Sequence, residues 1–598
     1  MRHTPLWPSL PTMFFDQAEK HGAEPFLWHK TSGGWVSRSY AEAAIEVARL
    51  AAALRALGLR PGDRVALVSE NRPEWAIADL GIMAAGLVSV PTYITNTERD
   101  HLHILENSGA RAVIVSSATL AQTVIAAALR SDCCEHVVTI ERVRAAQSSN
   151  VSVHHWETLA AAQTISMAEV RGWTAAARRE DLACIVYTSG TGGAPRGVRF
   201  HHGMILHNVE GAAAIIFEDF PRNRDTFLSF LPLSHSYEHS AGLYLPIGIG
   251  GEIYYAEGID KLAANIEETR PTIMVVVPRL FEVLRQRMIR AIEKKGGIAP
   301  RLLARAEAIE ARRAANRGLR VQDRIAGLVI DRTLRKTARG RFGGRLKAMV
   351  SGGAPLNPEV GRFFAALGLT LLQGYGQTES GPIMSCNRPR ARIKMHTVGP
   401  PLKDTEVRIA DDGEILCRGE LVTHGYWNNP AETAQALKNG WLHTGDIGHI
   451  DPDGHIVITD RKKDIIVNDK GDNIAPQRVQ GMLTLQPEIA QAMVDGDKRP
   501  YLVGLIVPDA EWMGAWARER GKPNDLSVLK ADPEFGRALQ AAVDRVNRDL
   551  SVIEKVRRIV VADEPFTVEN EQMTPSLKVR RHVLRRVYGP RLAALYAG

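Results

Sequence analysis

The stretch YTSGTGGAPRGV, residues 187–198, directly follows an apolar run, residues 182–186, of the kind found in a buried β-strand. Glycines let a backbone come close to an anion, while hydroxyl groups and an arginine supply hydrogen bonds and positive charge. The stretch therefore predicts a phosphate-binding loop after a strand. The residues predicted to contact the phosphate are Thr188, Ser189, Gly190, Thr191, Gly192, Gly193 and Arg196.

Two other interpretations of this loop compete. An ordinary P-loop NTPase is disfavoured, because the spacing Gly-x-x-x-x-Gly-Lys-Ser/Thr cannot be read through residues 187–198. A plain turn has the same composition of Gly, Ser, Thr and Pro. A second signal downstream favours a functional loop, since VSGGAPL (350–356) and LQGYGQTES (372–380) lie at the end of another apolar run.

Together these stretches resemble the adenylate-forming (AMP-binding) superfamily of acyl-CoA synthetases, luciferases and peptide-synthetase adenylation domains. The family's phosphate loop reads YTSGTTGxPKGV, and this chain matches ten of its eleven specified positions when Arg196 is accepted for Lys. Gly192 stands where the family usually has Thr, and Arg196 has a planar guanidinium group in place of the compact ammonium group of Lys. We expect weaker or slower ATP handling from these departures, within the same class of reaction.

Four further stretches resemble family motifs and occur in the family's order: TGD (444–446), DRKKD (460–464), KGDNIAP (470–476) and MTPSLKVRR (573–581). The resemblance implies a ribose contact at the first, a hinge between two domains at the second, a loop lining the pantetheine tunnel at the third and a catalytic lysine in the last. The residues implied to bind the nucleotide or coenzyme A are Gly353, Ala354, Gln373, Gly374, Tyr375, Asp446, Arg461, Lys463, Gly471, Asp472 and Asn473.

The residue types suit the activation of a carboxylate. A carboxylate resists nucleophiles until it gains a better leaving group, and its attack on the α-phosphate of ATP builds negative charge that needs cationic donors placed in advance. Glu379 is the predicted Mg²⁺ ligand, with Thr188 as a second, because magnesium prefers hard oxygen donors. The resemblance implies that Thr378 donates to the α-phosphate, that Tyr375 stacks on adenine, and that Lys578 bridges carboxylate and phosphate.

The thioester step needs access for a thiol, and the resemblance implies that a small domain supplies it by rotating. The rotation about Lys463 would withdraw Lys578 and bring in the loop at residues 471–473. Relatives commonly carry Glu shortly after this loop, where this chain has Gln480. That departure concerns one local salt link and leaves the mechanism unchanged.

Two stretches resemble the long-chain acyl-CoA synthetase branch: PTYITNTERDHLHILENSGAR (91–111) and LPLSHSYEHSAGLY (231–244). In that branch the second stretch runs beside the acyl tunnel, so His235 is expected near the carboxylate. Gly374 and Gly376 are expected to leave room there, since glycine has no side chain. A hydrocarbon tail gains about 0.8 kcal/mol per buried CH₂, so a long tunnel would favour long acids steeply.

The composition is that of a compact globular protein. The chain has 598 residues, 45% of them hydrophobic, a net charge of +8 and five cysteines. No cysteine pair or Cys/His cluster has zinc spacing, which favours a reducing compartment. The first ten residues lack the pattern of a secretion signal and no apolar run reaches about 18 residues. We therefore expect a cytoplasmic enzyme.

The fold class expected is α/β: a large N-terminal domain (residues 1–462) with two α/β sheets and a distorted β-barrel, and a small mobile α+β C-terminal domain (residues 463–598). The opening third alternates the two patterns, since residues 41–57 predict a helix with Ile45, Leu50, Leu54 and Leu57 on one face. Strands are predicted at residues 64–69 and 112–115, and a hairpin at 451–464 that turns at Asp453-Gly454.

Charge is concentrated in residues 279–347, which hold twenty Lys/Arg against six Asp/Glu. The segment is mostly helix-favouring, with a break at Gly296-Gly297 and Pro300. A solvated helical face is one interpretation. The others are peripheral contact with an anionic membrane surface, or electrostatic steering of ATP and coenzyme A. Nucleic acid is not expected as a partner, because no binding motif accompanies the charge.

The function expected is ATP-dependent activation of a medium- to long-chain fatty acid to acyl-AMP and then acyl-CoA, with ATP, Mg²⁺ and coenzyme A as cofactors. The catalytic residues expected are Lys578, Thr378, Glu379 and His235. Two alternatives remain at this point: an acyl-AMP ligase that delivers its acyl group to a carrier protein, and a non-catalytic acyl- or nucleotide-binding relative. The oligomeric state, including a homodimer, is left open.

Overall fold

The computed structural model describes residues 4–144, 150–188, 195–574 and 578–597. Within these ranges the α-helices are, in chain order, α1 (Leu10–His21), α2 (Tyr40–Ala56), α3 (Pro73–Ala84), α4 (Glu98–Ser108), α5 (Ala118–Arg130), α6 (Trp156–Ala161), α7 (Met167–Thr174), α8 (His202–Asp219), α9 (Ser236–Glu238), α10 (Leu245–Ile249), α11 (Leu262–Thr269), α12 (Pro278–Lys295), α13 (Ala299–Ala314), α14 (Val321–Ile330), α15 (Lys336–Arg341), α16 (Pro358–Ala366), α17 (Pro430–Ala436), α18 (Pro476–Leu483), α19 (Ala510–Glu519), α20 (Leu526–Leu529), α21 (Pro533–Asn547) and α22 (Arg581–Ala594). No helix of these ranges is both long and apolar enough to cross a membrane.

The strands of the same ranges are β1 (Pro25–Thr31), β2 (Gly34–Ser39), β3 (Arg64–Val68), β4 (Val88–Thr92), β5 (Ala110–Val115), β6 (His136–Thr139), β7 (Ser152–His155), β8 (Leu182–Thr188), β9 (Arg196–His201), β10 (Thr226–Ser229), β11 (Glu252–Tyr255), β12 (Ile273–Val276), β13 (Ala348–Ser351), β14 (Leu371–Tyr375), β15 (Ser385–Cys386), β16 (Glu406–Ile409), β17 (Glu414–Arg418), β18 (Leu437–Lys438), β19 (Trp441–Ile450), β20 (Ile456–Arg461), β21 (Ile466–Val467), β22 (Asn473–Ile474), β23 (Ile489–Asp495), β24 (Leu502–Pro508) and β25 (Val556–Val561).

An eight-stranded sheet carries the site described below. Its strands follow the order β15-β14-β13-β12-β10-β11-β1-β2, and all neighbours are parallel except the two outermost pairs. Strand β12 has every residue buried, as expected of a parallel strand covered on both faces. Because the carboxyl ends of parallel strands meet at one edge, the loops after β13 and β14 lie side by side.

A second, seven-stranded sheet follows the order β7-β6-β5-β3-β4-β8-β9 and is parallel except for its last pair. Strands β16 to β20 form an antiparallel sheet that corresponds to the predicted distorted barrel. After residue 463 come the pair β21-β22 and the small sheet β23-β24-β25. The predicted α/β class, with two α/β sheets and a smaller α+β region after them, is confirmed.

The local predictions are confirmed at most places. Helix α2 leads through Gly58, whose φ is +85°, into β3, and the hairpin β19-β20 turns at Gly454, whose φ is +82°. The predicted break between helices separates α12 from α13. The placement of Ile45 on the apolar face of α2 is wrong: Ile45 is 46% exposed, because five residues at 100° each put it about 140° from Leu50.

Two hydrophobic clusters consist entirely of residues from Ile466 onward. One packs helices α18, α19 and α21 against the sheet β23-β24-β25, and the other covers the opposite face of that sheet with α22. A core of its own is what an independently folding unit requires. The boundary at residues 462/463 stays a prediction that this pattern of burial favours.

Candidate active site

One pocket lies at the carboxyl edge of the eight-stranded sheet. It has a volume of about 120 Å³ and is bounded by strands β12 to β14, helix α8 and the segment 235–245. We call the apolar end the part of the wall whose residues belong to shared hydrophobic clusters: Ile215, Ile216, Phe220, Leu245, Val275 and Leu402. We call the polar end the part of the wall formed by His235, Tyr375, Gln377, Thr378 and Lys578. The pocket can therefore hold a molecule with a hydrocarbon part and a polar part.

Glycines allow the loops after β13 and β14 to line the pocket. Gly353 has a φ of +81°, which favours glycine, and a Cβ on Gly352 would lie 2.7 Å from the Tyr237 ring. Gly374 and Gly376 both line the pocket as predicted. A Cβ on Gly376 would lie 1.9 Å from the carbonyl oxygen of Pro382, so close backbone packing is what requires glycine there.

Asp446 is the centre of a buried hydrogen-bond network. Its Oδ2 accepts from the Tyr375 hydroxyl at 2.8 Å and from the Gln377 amide at 2.7 Å, and its Oδ1 accepts from Arg461 Nε at 3.1 Å. Asp446 is 6% exposed, so these contacts replace water. The structure thus brings together three of the predicted nucleotide contacts, Tyr375, Asp446 and Arg461, and adds Gln377, which was not among them.

Glu379 and Arg196 are joined through one aromatic residue. The Tyr426 hydroxyl donates to Glu379 Oε1 at 2.7 Å, and the Arg196 guanidinium lies 5.0 Å from the centre of the Tyr426 ring. Arg196 also forms an ion pair with Glu432. Tyr426 therefore links Glu379 to Arg196, the first residue of β9, which follows the predicted phosphate loop.

The predicted phosphate loop lies between β8 and β9, which pair antiparallel with Thr188 opposite Arg196. The prediction of a strand before the loop is confirmed by β8. Thr188 and Arg196 are the predicted phosphate contacts that the structure describes. The remaining ones lie outside the described residues: Ser189, Gly190, Thr191, Gly192 and Gly193.

His235 and Thr378 belong to the polar end of the pocket, and neighbouring residues hold both of them. The Thr378 hydroxyl is 3.2 Å from that of Ser236, and His235 Nδ1 accepts a hydrogen bond from the backbone N–H of Tyr237 at 3.2 Å. Burial, and then the nearby charge of Lys578, lower the pKa of His235 to about 3. The imidazole is therefore neutral at physiological pH, and its Nε2 carries the proton.

Lys578 reaches the pocket from the far end of the chain. A short loop holds it: the Thr574 N–H donates to the Lys578 carbonyl at 2.8 Å, and the Lys578 N–H donates to the Thr574 hydroxyl at 3.1 Å. Lys578 is exposed as a residue, and it also lines the pocket, where part of its side chain is buried. This burial, and then Arg461, lower the pKa of Lys578 to about 8 against the opposing effect of Asp446 and Glu379.

The other predicted residues after 460 lie away from the pocket. Lys463 is exposed and forms no ion pair with a described residue, and Gly471, Asp472 and Asn473 belong to the hairpin β21-β22 and do not line the pocket. Gln480 accepts a hydrogen bond from Arg581 at 2.7 Å, so the residue that departs from the family pattern still bonds to an arginine near Lys578.

Buried polar atoms without partners flank the pocket. The Ser351 hydroxyl and the Gln373 Oε1 have no hydrogen-bond partner among the described residues, and they adjoin Gly352 and Gly374 of the pocket wall. Ala354 follows Gly353 in the same loop. Such atoms fit a polar ligand that would complete their hydrogen bonds. No group of three or more His, Cys, Asp or Glu side chains gathers as a metal site within the described ranges, so a metal here would need few protein ligands.

Sequence reasoning missed Gln377, Tyr426 and Glu432. Gln377 lies within the quoted stretch 372–380, but its bond to Asp446 crosses 69 residues of chain. Tyr426 and Glu432 lie in HGYWNNPAE, residues 424–432, whose aromatic and acidic residues are the signal that was available.

The comparisons with known proteins agree with this geometry. The family model described as "AMP-binding enzyme" matches residues 14–427. The long-chain-fatty-acid–CoA ligase FadD15 of Mycobacterium tuberculosis is 33% identical over 572 residues, which is 94% of this chain and 93% of that protein. Long-chain-fatty-acid–CoA ligase 1 of Cavia porcellus is 30% identical over 94% of this chain and 82% of its own length.

A solved structure with the same fold is the A domain of a carboxylic acid reductase from Segniliparus rugosus, in complex with AMP and a co-purified carboxylic acid. It has a TM-score of 0.77 at 20% identity and covers 99% of this chain and 94% of its own. The anthranilate CoA ligase AuaEII, in complex with anthranoyl-AMP, has a TM-score of 0.73 at 20% identity, with 98% and 99% covered. At this identity the likeness shows the fold. The family model matches more than two thirds of the chain, and the chain therefore belongs to the AMP-binding enzyme family.

Proposed function

We propose that this protein is an ATP-dependent fatty acid–CoA ligase of the AMP-forming kind. It converts a medium- to long-chain fatty acid and ATP into acyl-AMP and pyrophosphate, and then transfers the acyl group to coenzyme A with release of AMP. Relatives named as long-chain-fatty-acid–CoA ligases, which align over almost the whole chain, support this choice of acid and acceptor. No feature of the described residues favours a carrier protein as acceptor.

The observation that carries the proposal is a pocket whose wall has an apolar end and a polar end. Its apolar end suits a hydrocarbon chain, because each buried CH₂ contributes about 0.8 kcal/mol. Its polar end gathers Thr378, Lys578 and the Asp446 network. A fatty acid that lies along the pocket would therefore present its carboxylate to the polar end.

In the activation step, the carboxylate oxygen attacks the α-phosphorus and pyrophosphate leaves. Lys578 is proposed to neutralise the negative charge that grows between the carboxylate and the α-phosphate, and Thr378 to donate a hydrogen bond there. The Asp446 network would hold the ribose and Tyr375 the adenine. When bound, Mg²⁺ would polarise the phosphate oxygens, and Glu379 with Thr188 are the proposed protein ligands, since carboxylate and hydroxyl oxygens suit that ion.

His235 is proposed to orient the acid and not to act as a base. Its Nδ1 already accepts a hydrogen bond from the backbone, so Nε2–H is left as a donor toward the pocket. A neutral donor can hold a carboxylate oxygen without forming a competing ion pair. His235 would thus fix the direction from which the carboxylate attacks.

In the thioester step, the thiol of coenzyme A attacks the carbonyl of acyl-AMP and AMP leaves. Lys578 occupies the pocket while the hairpin at residues 471–473 lies elsewhere, an arrangement suited to the first step. We propose that the unit after residue 462 rotates about Lys463, which removes Lys578 from the pocket and brings the hairpin at residues 471–473 to it. The separate core of that unit supports a rigid rotation.

A thioester-formation panel tests the proposal. Purified full-length protein is given ATP, Mg²⁺, coenzyme A and saturated acids of increasing length, and AMP and acyl-CoA are measured. We expect equimolar AMP and acyl-CoA with a preference for longer acids. AMP release that does not depend on coenzyme A, or no pyrophosphate exchange with any acid, would overturn the proposal.

The proposed cellular setting is a reducing compartment. All five cysteines are free thiols, and four of them are buried, as suits a protein of a reducing compartment such as the cytoplasm. The basic segment 279–347 is proposed to contact an anionic membrane surface.

A further inference from the structure

Helix α14 presents its apolar side to solvent. Val321, Ile325, Leu328 and Val329 are 74%, 61%, 59% and 46% exposed. The four positions are i, i+4, i+7 and i+8, so they form one stripe on the helix. We call this stripe the α14 face. Four large apolar side chains on one exposed helical face are more than a monomer usually leaves uncovered.

Buried contacts on the opposite side of α14 fix its orientation. Asp323 is 3% exposed and forms ion pairs with Arg305 at 2.7 Å and with Arg312 at 3.5 Å. Ile330 is fully buried in a cluster with Ile309 of α13. The helix cannot turn its apolar stripe inward without breaking these contacts, so the exposure of the α14 face belongs to the folded state.

The surroundings of the α14 face are strongly basic. Residues 317–341 contain eight Lys/Arg and two Asp. Six of the eight are exposed and form no ion pair with any residue in the described ranges: Arg317, Arg320, Arg324, Arg332, Lys336 and Arg341. Uncompensated charge around an apolar stripe requires a partner that is acidic at its surface and apolar beneath.

We propose that the α14 face is a docking surface for an anionic lipid bilayer. Helices that lie in a bilayer interface combine an apolar stripe with flanking Arg and Lys, which is the pattern of α14. A second copy of this chain is a poorer partner, because a two-fold contact would bring the arginines of both copies together. The proposed docking depends only on these surface residues. Because fatty acids partition into bilayers, docking would also bring the enzyme to its substrate, and this second step rests on the proposed function.

Vesicle co-sedimentation of the full-length protein tests the inference. We expect binding to phosphatidylcholine vesicles that contain phosphatidylglycerol, weak binding to pure phosphatidylcholine, and release by salt. The double variant Ile325→Ser/Leu328→Ser should lower the affinity by about tenfold or more, since it removes buried apolar area. Arg324→Gln and Arg332→Gln should each lower it roughly fivefold, as expected for one arginine near an anionic surface.

Matched controls come from the C-terminal unit, which has exposed residues of the same kinds. Val552→Ser removes a side chain that is 72% exposed, and Arg518→Gln removes an exposed arginine with no ion pair to a described residue. Both should bind vesicles like the unaltered protein. Thioester formation with a short, soluble acid should be unchanged in all variants, which separates a failure of docking from a failure of the proposed function.

Two results would overturn the inference. One is equal vesicle binding by the α14 variants, the controls and the unaltered protein. The other is a dimer, seen by light scattering, that the variant Ile325→Ser/Leu328→Ser dissociates without changing vesicle binding. The α14 face would then be a contact between two copies of the chain.

Discussion

The two ends of the pocket are built in different ways. At the polar end, a few residues each make several directed contacts, and Asp446 alone accepts from three partners. At the apolar end, many residues from helix α8, the segment 235–245 and strands β12 to β14 each add a small area. Function at the polar end should therefore depend on single atoms, and function at the apolar end on total volume and shape.

The largest expected effect concerns Lys578 at the polar end. Lys578→Ala should slow pyrophosphate exchange by roughly a hundredfold or more, as expected when one preorganised donor is lost. The thioester step from chemically prepared acyl-AMP should be nearly unchanged, because Lys578 is proposed to act only in activation. Lys555→Ala, in the same C-terminal unit, is the control. Equal loss in both half-reactions would contradict the division of labour proposed for this residue.

Asp446→Asn breaks the network at its centre and should have the next largest effect. It leaves Arg461 without its buried partner, and we expect AMP affinity, measured by calorimetry, to fall about tenfold to a hundredfold. The Michaelis constant for the fatty acid should change little. Asp412→Asn removes an exposed carboxylate paired with Lys462 and serves as control. A larger change for the acid than for AMP would show that the two ends are not separable.

The pH dependence of activation sharpens the view of the polar end. With its pKa lowered to about 8, Lys578 is charged below that pH and loses its charge above it. The kcat/KM for pyrophosphate exchange should therefore fall on the alkaline side, by roughly tenfold at about pH 9. His235, whose pKa is lowered to about 3, should add no titration near its ordinary value of 6.5. A change in kcat/KM with an apparent pKa near 6.5 that disappears in His235→Asn would contradict a neutral imidazole.

The smallest effect is expected at the apolar end, and it should depend on the substrate. Ala212→Leu adds volume to the pocket wall. It should cost roughly fourfold in kcat/KM for each methylene of a long acid that no longer fits, and almost nothing for short acids. Ala214→Leu, on the same helix but outside the pocket lining, is the matched control. Equal loss for short and long acids would mean that the wall does not measure chain length.

The same contrast explains what the sequence could predict. The strand before the phosphate loop, the class of fold and the pocket positions of Thr378, Tyr375 and Lys578 follow from short motifs, because each needs a particular residue type at a particular spacing. The bonds of Tyr426 to Glu379 and of Gln377 to Asp446 join residues 47 and 69 positions apart, and no local pattern records them.

The apolar end could not be predicted residue by residue. Its wall draws on segments from Ala212 to Leu402, and nothing distinguishes a leucine that faces the pocket from one in the core. The error at Ile45 has a related origin, since apolar character alone did not fix the face of the helix. The α14 face needed the structure too, because only the buried pairing of Asp323 shows which side of the helix is outward.

The pocket walls and the ammonium group come from opposite parts of the gene. Except for Lys578, every residue that lines the pocket precedes residue 403. A chimera that joins the first 462 residues to the C-terminal segment of a relative should keep the chain-length preference of its N-terminal parent and take its activation rate from both. Recombination at that junction could thus diversify catalytic speed among such ligases without altering which lipids they select.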